Sequence, residues 1–145
     1  ASLEQNEPVI IRNPSAIRPW QHVLEPLSGY LLLAEKMYQN PGQYCEAWNF
    51  GPVEGSMKPV GEIADLVIQN WGEGSWQDQS EKNAPHETNI LKLDISKVRN
   101  RLGWDPALSI EQAVTATVGW YKSYKEKDMY RFCEQQIESY MCEGF

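Results

Sequence analysis

From Arg12 to Tyr38 the chain reads RNPSAIRPWQHVLEPLSGYLLLAEKMY, and this stretch changes character twice. Asn13-Pro14 signals a turn, because proline steers the residue before it away from helix. Ile17 to Val23 is predicted to be a short extended segment. A helix is predicted from about Glu25 to Gln39, with Leu27, Leu31, Ala34 and Tyr38 on one face and Asn40-Pro41-Gly42 ending it. Such a face has to pack on something. The middle of the stretch also carries chemistry. A guanidinium is the fork-shaped partner of a phosphate, and an indole is a flat stacking surface. On an alternating strand, Arg18 and Trp20 point to the same side. Taken from the residues alone, a surface arginine beside a core tryptophan remains the alternative.

Upstream, Ala1 to Glu7 is polar and Pro8 to Ile11 reads as a short apolar strand with no partner before it. That is how an excised piece of a larger protein is expected to begin. Downstream, Ala47 to Phe50 reads as a buried strand. After a Gly-Pro loop, a helix starts near Pro59, with Val60, Ile63, Ala64, Val67, Ile68 and Trp71 at helical spacing. A short strand is expected around Trp76, then a long polar loop from Gln77 to Thr88. Asp94 is placed to cap a short helix that buries Ile95, Val98 and Leu102 and stops at Gly103. Ser109 and Gln112 form a capping box ahead of a stripe made by Ile110, Ala113, Val114, Thr117, Val118 and Tyr121. A last helix from about Asp128 to Cys142 puts Cys133, Ile137, Tyr140 and Met141 on one side. The fold class expected is α+β, rich in helix, with a few short strands that cannot close a sheet of their own. The 145 residues suit one domain, with a companion layer expected against it.

The formal charge of −7 and pI near 4.8 argue against a nucleic-acid partner, which needs clustered cations to displace counterions. No apolar run approaches the roughly 20 residues that cross a bilayer, and no leader opens the chain, so the reading is cytoplasmic with no membrane partner. Cys45, Cys133 and Cys142 lack metal-ligand spacing and read as reduced thiols partly in the core, so no metal is expected. A dinucleotide site needs a glycine-rich strand-to-helix turn, and Gly51, Gly55 and Gly61 do not supply the pattern. Tyr121 and Lys125 satisfy a YxxxK spacing, but the lysine belongs to a solvated face with Lys122 and Lys127, so the pair is a coincidence. His22 reads as a packed, hydrogen-bonded residue, and neither it nor His86 is set in a catalytic triad.

The Arg12–Tyr38 stretch resembles the corresponding segment of nucleotide-sugar enzymes of the extended short-chain dehydrogenase/reductase family, the NAD-dependent epimerases and dehydratases, and RPWQHVLEPLSGYL is most similar to the members that dehydrate CDP-glucose. Many other members carry an R-D-W/Y-x-H/Y-V variant, from which Pro19 departs. EAWNFGP from Glu46, LKLD from Leu91, LGWDP from Leu102 and the Trp120-Tyr121 pair extend the likeness over nearly the whole chain. The resemblance implies a C-terminal substrate-binding part. NAD and the catalytic Ser/Thr, Tyr and Lys would then lie on a Rossmann half not contained here, leaving no catalytic or cofactor-binding residue in this chain. It implies a parent lyase of deoxysugar biosynthesis that turns CDP-glucose into CDP-4-keto-6-deoxyglucose with loss of water. Such a piece is expected to expose apolar surface that drives self-association, and a homo-oligomer is expected. Carried over residue by residue, Arg18 matches the arginine directed at the diphosphate, Trp20 lines the pocket or packs, and Lys58 stands near the nucleotide before a helix N-terminus that favours an anion. His86 lies where relatives often place a second phosphate-binding arginine. No arginine stands between Arg18 and Arg99, so His86 or Lys58 would have to substitute. Two other readings stay open: another nucleotide-sugar epimerase or dehydratase of this family, and a free-standing binding module without catalysis.

Overall fold

The computed structural model describes residues 2–81, 88–126 and 128–144. In chain order its elements are β1 (Val9–Ile11), β2 (Ile17–Pro19), α1 (Leu24–Gln39), α2 (Pro41–Tyr44), β3 (Met57–Pro59), α3 (Val60–Trp71), β4 (Trp76–Asp78), α4 (Ser96–Leu102), α5 (Ile110–Ser123) and α6 (Met129–Gly144). The architecture is α+β and helix-rich, as the periodicities indicate. Its strands form two separate ladders. β1 runs parallel to β4 with Val9 opposite Trp76, and β2 runs antiparallel to β3 with Arg18 opposite Lys58. Pro19 and Pro59 lie at opposite ends of the second ladder, and because proline has no N–H to donate, the ladder stays short.

Ala47 to Phe50, expected as a strand, has no regular structure and joins no ladder. Side chains serve its carbonyls instead: Lys97 Nζ donates to Ala47 O at 2.8 Å and Gln21 Nε2 to Phe50 O at 3.3 Å. Helix boundaries follow local chemistry closely. The Ser109–Gln112 capping box forms in both directions, Gly103 ends α4 with φ of 69°, and Asp128 Oδ1 accepts the amide of Tyr130 at 3.1 Å ahead of α6. Asp94 acts one position earlier than a conventional cap, its Oδ1 accepting Ser96 N at 2.8 Å.

Two apolar clusters hold the chain together. Phe50, Ile95, Val98, Leu102 and Trp104 form the first, covered by Leu32 and Leu33 of α1, while Ile63 of α3 and Ile110, Val114 and Val118 of α5 form the second. Between them sits Glu25, 1% exposed. Its carboxylate accepts the amides of Ala107 (3.0 Å) and Leu108 (2.7 Å) and the Tyr140 hydroxyl (2.9 Å), tying α1 to the α4–α5 connection and to α6. Ser28 Oγ, on the next turn, takes the Trp104 indole at 2.9 Å.

This network corrects the expected orientation of α1. The inward face carries Glu25, Gly29, Leu32 and Leu33, because the Phe50 ring lies directly on Gly29, where a Cβ would come within 2.2 Å of it. The face read as the packing side turns outward instead, with Leu27 44%, Leu31 74% and Tyr38 91% exposed. Tyr121 is a second correction. It stands at the open end of the α5 stripe and is exposed, as is Thr117. Of the cysteines, only Cys133 is packed, accepting the Trp120 indole N–H at 3.4 Å, whereas Cys45 and Cys142 are exposed thiols rather than partly core. No helix among the described residues is long and apolar enough to cross a membrane.

Candidate functional site

The loop from Arg12 to Ala16 connects β1 to β2, and hydrogen bonds to α3 hold it. Val60 N donates to Ala16 O at 3.0 Å and Gly61 N to Pro14 O at 2.9 Å. The first amides of α3 are spent on loop carbonyls, so the N-terminus of α3 serves as the clasp that holds the loop.

That clasp sets α3 beside the two strands, leaving a cavity of about 460 Å3 between them. Its floor is apolar, made by Ile11, Ala16 and the Val60, Ile63, Ala64, Val67 and Ile68 stripe, so the helical face that reads as core in the sequence partly lines a cleft. Arg18 and Trp20 both line this cavity, sharing a face as alternation along an extended segment requires. Arg18 Nη1 donates to the carbonyls of Ile17 at 2.9 Å, Thr88 at 3.0 Å and Asn89 at 3.4 Å. Those bonds set the guanidinium plane and bind β2 to the segment beyond the long loop, where Ile17 N also reaches Asn89 O at 2.7 Å. The Trp20 indole donates to Lys58 O at 2.9 Å, which locks the ring against the β2–β3 ladder.

Lys58 faces Arg18 across that ladder, and its ammonium pairs with Glu62 at 3.3 Å, one turn into α3. Strand register therefore brings Arg18, Trp20 and Lys58 together. His86 lies outside the described residues. Arg12, given no role by the sequence reading, lines the same cavity as Arg18. The available signal was its position, one arginine on each side of the Asn13-Pro14 turn.

Other titratable groups belong to the framework. His22 is buried, and its Nδ1 accepts Leu24 N at 3.3 Å at the entrance to α1, while burial pushes its pKa below the ordinary imidazole value. Burial also pushes the Tyr140 phenol up to about 12. Lys125 is bound to Glu4 at 2.8 Å, and that lysine, with a hydrogen bond from Tyr124, holds the Glu4 carboxyl down at about 2. Lys125 thus serves an exposed ion pair, and Tyr121 has no part in it. Two further cavities, of about 460 and 560 Å3, lie beneath α6, the first lined by His22, Leu108, Thr115, Phe132 and Tyr140, the second by Val23, Trp120, Cys133 and Ile137. No cluster of metal-ligating side chains occurs among the described residues.

Against known proteins, no family model matches the chain. The chain is 44% identical over 142 residues to CDP-glucose 4,6-dehydratase of Salmonella typhimurium, a match that takes in 97% of this chain and 39% of that enzyme. It therefore spans about two fifths of the length of the relative it matches, and the likeness is to that enzyme's C-terminal portion. Among solved structures, dTDP-glucose 4,6-dehydratase of Bacillus anthracis in complex with NAD superposes with a TM-score of 0.69 at 19% identity, covering 86% of this chain and 37% of that one. UDP-glucuronic acid 4-epimerase of Bacillus cereus, solved with a fluorinated UDP-sugar and NAD, gives 0.68 at 19% identity, covering 85% and 38%. At that identity the two structures establish a shared fold.

Proposed function

We propose that this chain is the part of an NAD-dependent nucleotide-sugar dehydratase that grips the substrate, and that the substrate is CDP-glucose, converted with loss of water to CDP-4-keto-6-deoxyglucose. The observation that carries the reading is the 44% identity to CDP-glucose 4,6-dehydratase, sustained over 97% of the chain. The β2–α3 cavity supports it, since a guanidinium held in a fixed plane beside a clamped indole suits a sugar diphosphate. In this reading Arg18 binds the diphosphate, Trp20 walls the pocket and Lys58 adds positive potential from the neighbouring strand. The 145 residues act as one domain.

NAD, when bound, supplies a hydride acceptor and donor for the cycle at the sugar. β3 runs straight into α3 at Pro59 with no glycine-rich turn between them, and the first two amides of α3 are bonded to Ala16 and Pro14, which supports placing the NAD site outside these residues. NAD is assigned to a separate Rossmann portion of the parent, and this chain alone is assigned no turnover. The outward face of α1, with Leu27, Tyr30, Leu31 and Tyr38 uncovered and Val23 exposed just before it, supports a packing partner of that kind, and a homo-oligomeric parent is part of the same proposal.

The test is turnover followed by mass spectrometry with CDP-, UDP- and dTDP-glucose, using a polypeptide that joins this chain to its NAD-binding portion. Loss of one water from the CDP-sugar in preference to the others is expected. Epimerisation without loss of water, or a preference for another nucleotide, would replace this reading with that of a different family member. The chain by itself is expected to self-associate through α1 in size-exclusion chromatography with light scattering, and a clean monomer that binds CDP-glucose tightly would favour an independent binding module.

A further inference from the structure

We infer that Arg12 is the second phosphate-pairing cation of the Arg18 cavity, and that the two guanidiniums bracket a nucleoside diphosphate from opposite sides of the Asn13-Pro14 turn. This rests on the proposed reading of Arg18.

Four observations converge on Arg12. First, it lines the same cavity as Arg18, although the two residues flank different ladders, one following β1 and the other lying within β2. The turn that brings them together is pinned at two points by α3, through Val60 N and Gly61 N, so the pairing of the two arginines is built into the backbone. Second, Arg12 is exposed and makes no hydrogen bond or ion pair among the described residues. Lys58, Lys97, Arg99, Arg101 and Lys125 all have carboxylate partners, whereas Arg12 has none among the described residues and lines this cavity.

Third, of the two residues read as substitutes for a second arginine, His86 lies outside the described residues and Lys58 is already engaged. Lys58 Nζ is on Glu62, and it does not line the cavity. Fourth, the floor between the arginines is apolar, and an apolar floor beneath two cations strengthens their hold on a dianion by thinning the competing water. The planar fork of Arg12 can take phosphate oxygens in pairs, so a second guanidinium beside Arg18 matches the spread of charge along a diphosphate better than that of a monophosphate.

The experiment is a two-dimensional NMR titration, with CDP, CMP and cytidine, of the polypeptide that joins this chain to its NAD-binding portion, read at the Trp20 indole N–H, whose only described acceptor is Lys58 O at the cavity wall. Wild type, Arg12→Ala, Arg12→Lys and Arg18→Ala are compared after circular dichroism shows an unchanged fold. Removing either arginine is expected to weaken CDP binding about 10-fold or more, as loss of a charge-assisted pair does. The Arg12→Ala effect should be smaller with CMP and absent with cytidine, and Arg12→Lys should restore part of it.

If Arg18→Ala weakens CDP while Arg12→Ala does not, the role given to Arg12 is wrong and that of Arg18 stands. If Arg12→Ala affects CDP and cytidine equally, Arg12 acts on the fold of the cleft and the proposal fails. If wild type shows no CDP-dependent shift, or neither substitution matters, the cavity is not the diphosphate site and both readings fall.

Discussion

Replacing Glu25 is the sharpest test of how the two apolar clusters are joined. Its carboxylate receives two backbone amides and a phenol at 2.7 to 3.0 Å, all inside the protein. Glu25→Gln keeps the shape and one acceptor oxygen, but turns an amide NH2 towards donors it cannot accept. Hydrogen bonds to a charged acceptor contribute about 1.5–3 kcal/mol each, and a buried donor left unpaired costs about 1–3 kcal/mol. Losing one good bond and weakening a second should therefore destabilise the chain by about 2–4 kcal/mol. For a chain of this size each kcal/mol moves Tm by roughly 3 °C, so a fall of about 6–12 °C is expected by circular dichroism. Glu25→Ala leaves three donors and a void, and should cost more than about 4 kcal/mol, a large share of a typical domain's total of about 5–15 kcal/mol. Tyr140→Phe removes the phenol alone and should cost about 1–2 kcal/mol. In a double-mutant cycle with Glu25→Gln the two losses should fall short of additive, because they share a bond. A Tm for Glu25→Gln within about 1 °C of wild type would refute the view that this carboxylate joins the clusters.

Three further outcomes are expected. His22 has a folded pKa pushed by burial below its ordinary 6.5, so the unfolded state binds more protons as pH falls through 6.5. Stability is then fully present above about pH 6.5 and lost below it, and a Tm series from pH 7.5 to 5.5 should fall more steeply for wild type than for His22→Asn, which retains an acceptor for Leu24 N. Gly29→Ala would force a methyl into the Phe50 ring and should cost about 1–3 kcal/mol in urea unfolding, whereas the same change at exposed Gly55, where nothing stands within 4 Å, should cost much less. Ser109→Ala removes the side-chain acceptor for Gln112 N and should cost about 1 kcal/mol, read by the same unfolding curves.

What the sequence determined by itself is local. The capping box at Ser109, the stop at Gly103, the Asn13-Pro14 turn and the helical periods all depend on residues within a few positions of one another, and short-range sterics and hydrogen bonds decide them wherever the segment finally sits. Arg18 and Trp20 were legible as a pair for the same reason, since alternation along an extended segment is a local property. Tertiary structure decided what depends on distant partners. Helix α1 has apolar residues on more than one side, and which side turned inward depended on Phe50 finding Gly29 and on Glu25 finding amides 82 and 83 residues away. Likewise, the Ala47–Phe50 segment has the composition of a strand, but strand pairing needs a neighbour, and Lys97 and Gln21 reached its carbonyls instead. The approach of Arg12 to Arg18 belongs to the same class. It follows from α3 spending its first two amides on the loop between them, and no spacing rule along the chain encodes where a helix that begins at Val60 will dock.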